Sequence, residues 1–230
     1  MKHIPYVIIM LFGINYSYSQ VGIGTTTPDD GSILQIDSTT GALVPPRMTS
    51  SEMNAIPTPL DGALVFNISR NSYYVFKNST WSNLANSSLV INKDFGGSNN
   101  ILATPDNTYV NFPIGPSEVI VTNPDVYNVT ANGTITIKEK GNYLFSASLS
   151  TPNMPSGNKK YILAISINNS LKAYLSRGVA TLPSSDYWGT SGNIMYPINA
   201  NDVVKMQYVL NNGGTALDAK FINIGISRLN

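Results

Sequence analysis

Residues 221–229 read Phe221-Ile222-Asn223-Ile224-Gly225-Ile226-Ser227-Arg228-Leu229, an alternating pattern from which the fold class can be predicted. Successive side chains of a β-strand point to opposite faces, so its two faces can be read separately. One face carries Ile222, Ile224 and Ile226, and the other carries Phe221, Gly225 and Leu229. Apolar groups on both faces predict a strand that is covered twice, once by the opposing sheet and once by a second cover for which a neighbouring subunit is the candidate.

The residues from about Thr108 onward show the same two-residue alternation in several further segments. The apolar positions are Tyr143, Phe145, Ala147, Leu149, then Tyr161, Leu163, Ile165, Ile167, then Val204, Met206, Tyr208, Leu210. Turn signals separate these segments, such as Asn132-Gly133, Asn168-Asn169 and Asn212-Gly213-Gly214. Short alternating strands without an amphipathic helix predict an all-β jelly-roll sandwich over 108–230.

This half resembles the complement C-one-q globular head and the tumour-necrosis-factor-like jelly roll. The resemblance rests on Gly141-Asn142-Tyr143-Leu144-Phe145 with Ile135 six residues earlier, on Asn201-Asp202-Val203-Val204, and on Ile224-Gly225-Ile226-Ser227-Arg228-Leu229. It implies a ten-stranded jelly roll, a compact homotrimer and a binding role. On this interpretation we expect the trimer interface to include Tyr143, Phe145, Tyr208 and Phe221.

Residues 20–86 form a small mixed module that precedes this jelly roll. The module contains VGIGTTTP (21–28), LVPPRMTSSEMNAI (43–56), GALVFN (62–67) and YYVFKNSTW (73–81). That order resembles a cassette of bacterial surface proteins and phage tail-fibre-like proteins, which implies display of a module downstream. Thr49 and Glu52 have the spacing of a capping box and predict a short helix over 50–56. The Gly-rich composition of 87–107 predicts a flexible linker between the two modules.

The first 19 residues have the composition of a secretory signal peptide. Lys2 and His3 precede the apolar run 4–14, and Ser17-Tyr18-Ser19 places small residues before a cut at Gln20. The run is shorter than the ~20 residues of a spanning helix, although a short membrane anchor is the alternative. We therefore predict a secreted or outer-surface protein without a membrane span in its mature chain.

The composition excludes several kinds of chemistry. The chain has no Cys, and its one His would leave with the signal peptide, so His- or Cys-based catalysis and the usual zinc sites are excluded. Charged residues make up 12% of the chain and are balanced in sign, which gives no basic patch for nucleic acid. We predict no enzyme activity and no cofactor, and we assign no metal site.

Aromatic residues in the 170–200 stretch are the remaining candidates for a binding site. They are Tyr174, Tyr187, Trp188 and Tyr196. Tyr187 and Trp188 follow Pro183-Ser184-Ser185, which favours an exposed loop where rings stack on sugars, although core packing is the alternative. The sequence thus predicts a non-enzymatic trimeric structural or adhesion protein that presents loops to a protein or glycan. A carbohydrate-binding module of a surface or tail-fibre-like protein is the alternative.

Overall fold

The computed structural model describes residues 20–84 and 87–229, which form two units that divide after Leu84. The predicted signal peptide, residues 1–19, lies outside the described residues. Each unit is built mainly from β-strands.

The described part of the N-terminal unit, residues 20–84, contains six short strands and one short helix. They are β1 (Val21–Ile23), β2 (Leu34–Ile36), β3 (Arg47–Met48), α1 (Ser50–Asn54), β4 (Leu64–Asn67), β5 (Ser72–Lys77) and β6 (Thr80–Asn83). The strands β1 and β2 form a parallel pair, and β3, β4, β5 and β6 form a four-stranded sheet in that order. Within this sheet, β4 and β5 form an antiparallel hairpin.

The predicted capping box begins α1. The Thr49 hydroxyl accepts the N–H of Glu52 at 3.3 Å, and the Glu52 carboxylate accepts the N–H of Thr49 at 2.7 Å. The Thr49 N–H, together with the Thr49 hydroxyl that donates to the same carboxylate at 2.8 Å, lowers the pKa of Glu52. The helix is two residues shorter than predicted, and it buries Met53 against Val65 and Tyr74, the small core of this unit.

The second unit contains eleven strands and one turn of 3-10 helix, Pro116–Glu118. The strands are β7 (Ser88–Asp94), β8 (Val110–Asn111), β9 (Val119–Val121), β10 (Tyr127–Ala131), β11 (Thr134–Ile137), β12 (Gly141–Met154), β13 (Gly157–Ile167), β14 (Ser170–Leu182), β15 (Asp186–Ile198), β16 (Asp202–Leu210) and β17 (Phe221–Arg228).

These strands form two sheets, as the predicted jelly-roll sandwich requires. One sheet has the order β15-β12-β17-β7-β9, and the other has the order β10-β11-β16-β13-β14 with β8 paired to β16. The inner faces of both sheets supply one continuous apolar core. The fold class predicted from the sequence, an all-β jelly roll behind a small mixed module, is therefore confirmed.

The last strand, β17, lies in the interior of its sheet, between β12 and β7. Its three isoleucines, Ile222, Ile224 and Ile226, are buried in the core. Phe221 lies on the opposite face with 52% of its surface exposed, and Leu229, just beyond the strand, is 51% exposed. The predicted alternation is correct, and within one chain the second face is open.

The predicted linker over 87–107 is wrong for its first part. Residues 88–94 form β7, which pairs with β17 along its full length and buries Leu89 and Ile91. Phe95 extends this pairing by one residue, because its N–H donates to the carbonyl of Lys220 at 2.9 Å. The glycines at 96–98 favoured a linker, and the strand before them was missed because its partner, β17, lies far away in the sequence.

Candidate functional site

Three of the four residues predicted at a subunit interface lie inside the sandwich. Tyr143, Phe145 and Tyr208 are each at most 1% exposed, and they belong to the core between the two sheets. The prediction for these three is wrong because alternation shows which side chains share a face, but not which face is turned inward. Phe221 alone of the four lies on an open face.

Two buried tyrosines of the core, Tyr143 and Tyr127, donate their hydroxyls to backbone carbonyls. Tyr143 donates to the carbonyl of Glu139 at 2.7 Å, and Tyr127 donates to the carbonyl of Ser87 at 3.0 Å. Burial raises the pKa of Tyr127 to about 12 and raises the pKa of Tyr143 as well. These phenols are therefore neutral structural groups.

The open face of the β15-β12-β17-β7-β9 sheet, here called the outer face, combines apolar ends with a small-residue centre. Its large exposed apolar side chains include Tyr187, Met195 and Phe221. Its centre is made by Ser146, Ser148, Ser191, Asn193, Asn223 and Gly225, which the strand registers place side by side. Short uncharged side chains allow another protein surface to approach the backbone closely, so this face suits contact with a protein.

The ring of Phe221 is held in place by its neighbours. The Lys220 ammonium lies 4.6 Å from the ring centroid and 2.8 Å from a carboxylate oxygen of Asp94. The hydrogen bond from Lys220 lowers the pKa of Asp94, so this carboxylate stays charged. The arrangement keeps the phenyl ring presented on the outer face.

The predicted ligand-contact pair divides between the two faces of β15. Tyr187 points to the outer face and is 72% exposed. Trp188 points inward, packs on the core, and lies 4.9 Å from the ring of Tyr161 between centroids. The two rings therefore do not form one aromatic surface on which a ligand could stack. Of the pair, Tyr187 is the ring that is exposed to a ligand.

A cavity of about 620 Å³ opens at the opposite end of β15, and sequence reasoning did not identify it. Its apolar wall includes Tyr196 together with the buried side chains Ile167 and Ile198. Two exposed lysines, Lys140 and Lys172, stand at its edge. Three separate turns form this cavity, so no local sequence motif predicts it.

Two further observations concern the described residues, 20–84 and 87–229. No group of three or more His, Cys, Asp or Glu side chains in this part of the chain is arranged to hold a metal ion. No helix among them has the length and apolar character needed to cross a bilayer.

One family model matches part of the chain, and several solved structures have a similar fold. The family model described as "Phage tail like trimerisation region" matches residues 22–100. Murine APRIL is similar over 63% of this chain and 100% of its own, with 10% identity and a TM-score of 0.43.

Two further solved structures share 63% coverage of this chain and 97% coverage of their own. They are the PRD1 vertex protein P5, with 19% identity and a TM-score of 0.41, and the globular domain of zebrafish complement 1qA protein, with 15% identity and a TM-score of 0.42. No curated protein matches the chain in sequence.

Proposed function

We propose that this chain is a non-enzymatic structural protein that forms a homotrimer and displays its jelly roll on an outer cell surface or in a secreted assembly. Its outward loops would meet an extracellular protein or glycan. The observation that carries this proposal is the exposed apolar surface of residues 20–46, in a segment that matches a trimerisation region.

Residues 20–46 are rich in apolar side chains that contact little within one chain. The exposed ones are Val21, Ile23, Ile33, Leu34, Ile36, Leu43 and Val44. Their only sheet is the β1–β2 pair, with three residues in each strand. A two-stranded sheet is at best marginally stable alone in water, so these side chains need a cover, and further copies of the chain supply one.

The outer face of the jelly roll supports the same proposal independently. Phe221 and Met195 expose large apolar surfaces at the two ends of a sheet face whose centre is made of short uncharged side chains. A chain without cysteine cannot compensate for such exposure with disulfides. Burying these side chains between subunits removes their contact with water, at about 25 cal/mol per Å² of apolar area.

Sedimentation equilibrium of the full chain tests the proposal. We expect a particle with three times the mass of one chain. Phe221→Ser and Ile33→Ser should each weaken association while leaving the β-sheet circular dichroism unchanged, because both side chains are exposed in the single chain. Val179→Ser is the matched control, because Val179 is also exposed and apolar but lies on β14 in the other sheet.

A stable monomer at micromolar concentration would overturn the trimer. Equal loss of association from Val179→Ser would show that the outer face has no special role. Loss from Ile33→Ser without loss from Phe221→Ser would assign association to the N-terminal unit alone.

A further inference from the structure

We propose that the cavity lined by Lys140, Lys172 and Tyr196 binds a carboxylate-bearing sugar, such as a uronic acid or a sialic acid. This site adds a ligand to the proposed assembly and does not depend on it, because one chain supplies all of its walls. It also differs from the contact at Tyr187. Tyr187 and Tyr196 are nine residues apart on β15, which is ~30 Å along a strand.

The fold builds the cavity from both sheets. β12 and β15 belong to one sheet, and β13, β14 and β16 belong to the other. The start of β12 and the end of β15 form one wall, and the β13–β14 turn with the start of β16 forms the other. The cavity is therefore the mouth of the sandwich at this end, and its volume of about 620 Å³ is comparable to that of known ligand sites.

Two lysines, Lys140 and Lys172, line the mouth against a single carboxylate, that of Asp202, so the balance of charge at the mouth is positive. Among the described residues, no hydrogen bond or ion pair holds the side chain of Lys140 or Lys172. Lys140 immediately precedes β12, whereas Lys172 lies on β14, so the two charges enter from different sheets. Both remain available for an anion in the cavity.

The one carboxylate at the cavity is already engaged by its own turn. One oxygen of Asp202 accepts from the side-chain amide of Asn168 at 2.8 Å. The other oxygen accepts the backbone N–H of Asn199 at 2.8 Å. Asp202 therefore acts as a brace for the wall; its neutral hydrogen-bond donors leave it charged, and the two lysines outnumber it.

The remaining lining suits a sugar ring better than a bare anion. Tyr196 offers an aromatic surface on which the C–H face of a pyranose can pack, beside the apolar side chains of Ile167 and Ile198. The rim carries the short polar side chains of Asn199 and Ser170, which can bond hydroxyl groups. An apolar wall, a hydroxyl-bonding rim and two cations together match an acidic sugar.

Titrations of the full chain followed by NMR test this site. The probes are glucuronate, N-acetylneuraminate, neutral glucose and acetate. We expect one or both acidic sugars to bind in the millimolar range. Glucose and acetate should bind about tenfold more weakly, because glucose lacks the carboxylate and acetate lacks the sugar ring. The preferred acid distinguishes a uronic-acid site from a sialic-acid site.

The double variant Lys140→Ala, Lys172→Ala should weaken binding of the acidic sugar about tenfold, because it removes both charge-assisted contacts. The matched control is Lys159→Ala, Lys160→Ala, which makes the same charge change where the ammonium groups bond Asn212 and Asn107. The control should bind the acidic sugar as tightly as the wild type does. In both proteins, the NMR resonances that shift on binding should belong to residues around Tyr196.

Three outcomes would overturn the proposal. The first is that neither acidic sugar binds. The second is that the Lys140, Lys172 variant binds as well as the wild type, or that the control loses as much. The third is that acetate binds as tightly as the acidic sugars, which would make the site a simple anion site.

Discussion

Asn153 and Asp218 bond each other twice. The Asn153 amide donates to one carboxylate oxygen of Asp218 at 3.1 Å, and the N–H of Asp218 donates to the Asn153 amide oxygen at 3.1 Å. The other carboxylate oxygen accepts the backbone N–H groups of Asn99 and Asn100 at 2.6 and 2.8 Å. One buried carboxylate thus ties together the end of β12, the approach to β17 and the segment that follows β7.

Asp218→Asn should lower the thermal stability of the jelly roll by several degrees. In either orientation, the new amide group would face a donor, either the Asn153 amide or the two backbone N–H groups, and an unpaired buried donor is destabilising. Thermal unfolding followed by near-ultraviolet circular dichroism measures the change. The control is Asp30→Asn, which removes the same charge from an exposed turn, and an equal loss there would contradict the assigned role.

The same carboxylate should make stability depend on pH in the acid range. The N–H groups of Asn100 and Asn99 lower the pKa of Asp218 below its ordinary value of 3.8. Its contribution to stability is therefore complete above the unfolded pKa and is lost as pH falls through the folded pKa. Melting temperatures from about pH 6 to about pH 3 should fall more for the wild type than for Asp218→Asn. Parallel curves would show that another group carries the dependence.

Gly192→Ala should destabilise the sandwich by about 3 kcal/mol, as severe overpacking does. A methyl group at Gly192 would lie 2.1 Å from the backbone carbonyl oxygen of Leu175, so β14 and β15 would have to separate. Gly97→Ala is the control, because a methyl group there meets nothing within 4 Å. Urea unfolding of both variants measures the difference, and a Gly192→Ala protein as stable as the control would contradict this contact.

Trp188→Ala should cost about 2 kcal/mol, less than the ~3–5 kcal/mol of a fully buried ring, because Trp188 is half-buried against the core. Tyr187→Ala should cost less than about 0.5 kcal/mol, because its ring is exposed. Urea unfolding followed by circular dichroism compares the two variants. A similar cost for both would contradict the opposite placement of the two rings.

Thr49→Ala should destabilise the N-terminal unit by about 1 kcal/mol, since it removes the side-chain cap of α1. Ser51→Ala changes an exposed position inside the same helix and should stay within about 0.5 kcal/mol of the wild type. Hydrogen exchange of the Glu52 backbone amide measures the loss of the capping bond directly. Protection of that amide in Thr49→Ala equal to the wild type would contradict the capping bond.

The sequence predicts local structure well here because the deciding interactions are local. Thr49 and Glu52 are three residues apart, and their side chains complete the capping box within one turn. The alternation of Ile222, Ile224 and Ile226 likewise identifies one face of one strand. Both predictions need only the geometry of a single element.

The predictions that fail need information from distant parts of the chain. Tyr143 and Phe145 share a face, but only the opposing sheet determines that this face is buried. β7 pairs with a strand more than 120 residues away, as the bond between Lys220 and Asp94, 126 residues apart, illustrates. The cavity at Lys140 depends on three turns that meet only in the folded chain, so no spacing rule finds it.

The pairing of β7 with β17 has a consequence for biosynthesis. The first strand of the jelly roll, β7, is translated more than 120 residues before β17, the strand with which it pairs along its full length. Because this contact has a large sequence separation, we expect it to form late in folding. A premature stop codon that removes β17 would split this sheet into the β15–β12 and β7–β9 pairs, with no strand to join them.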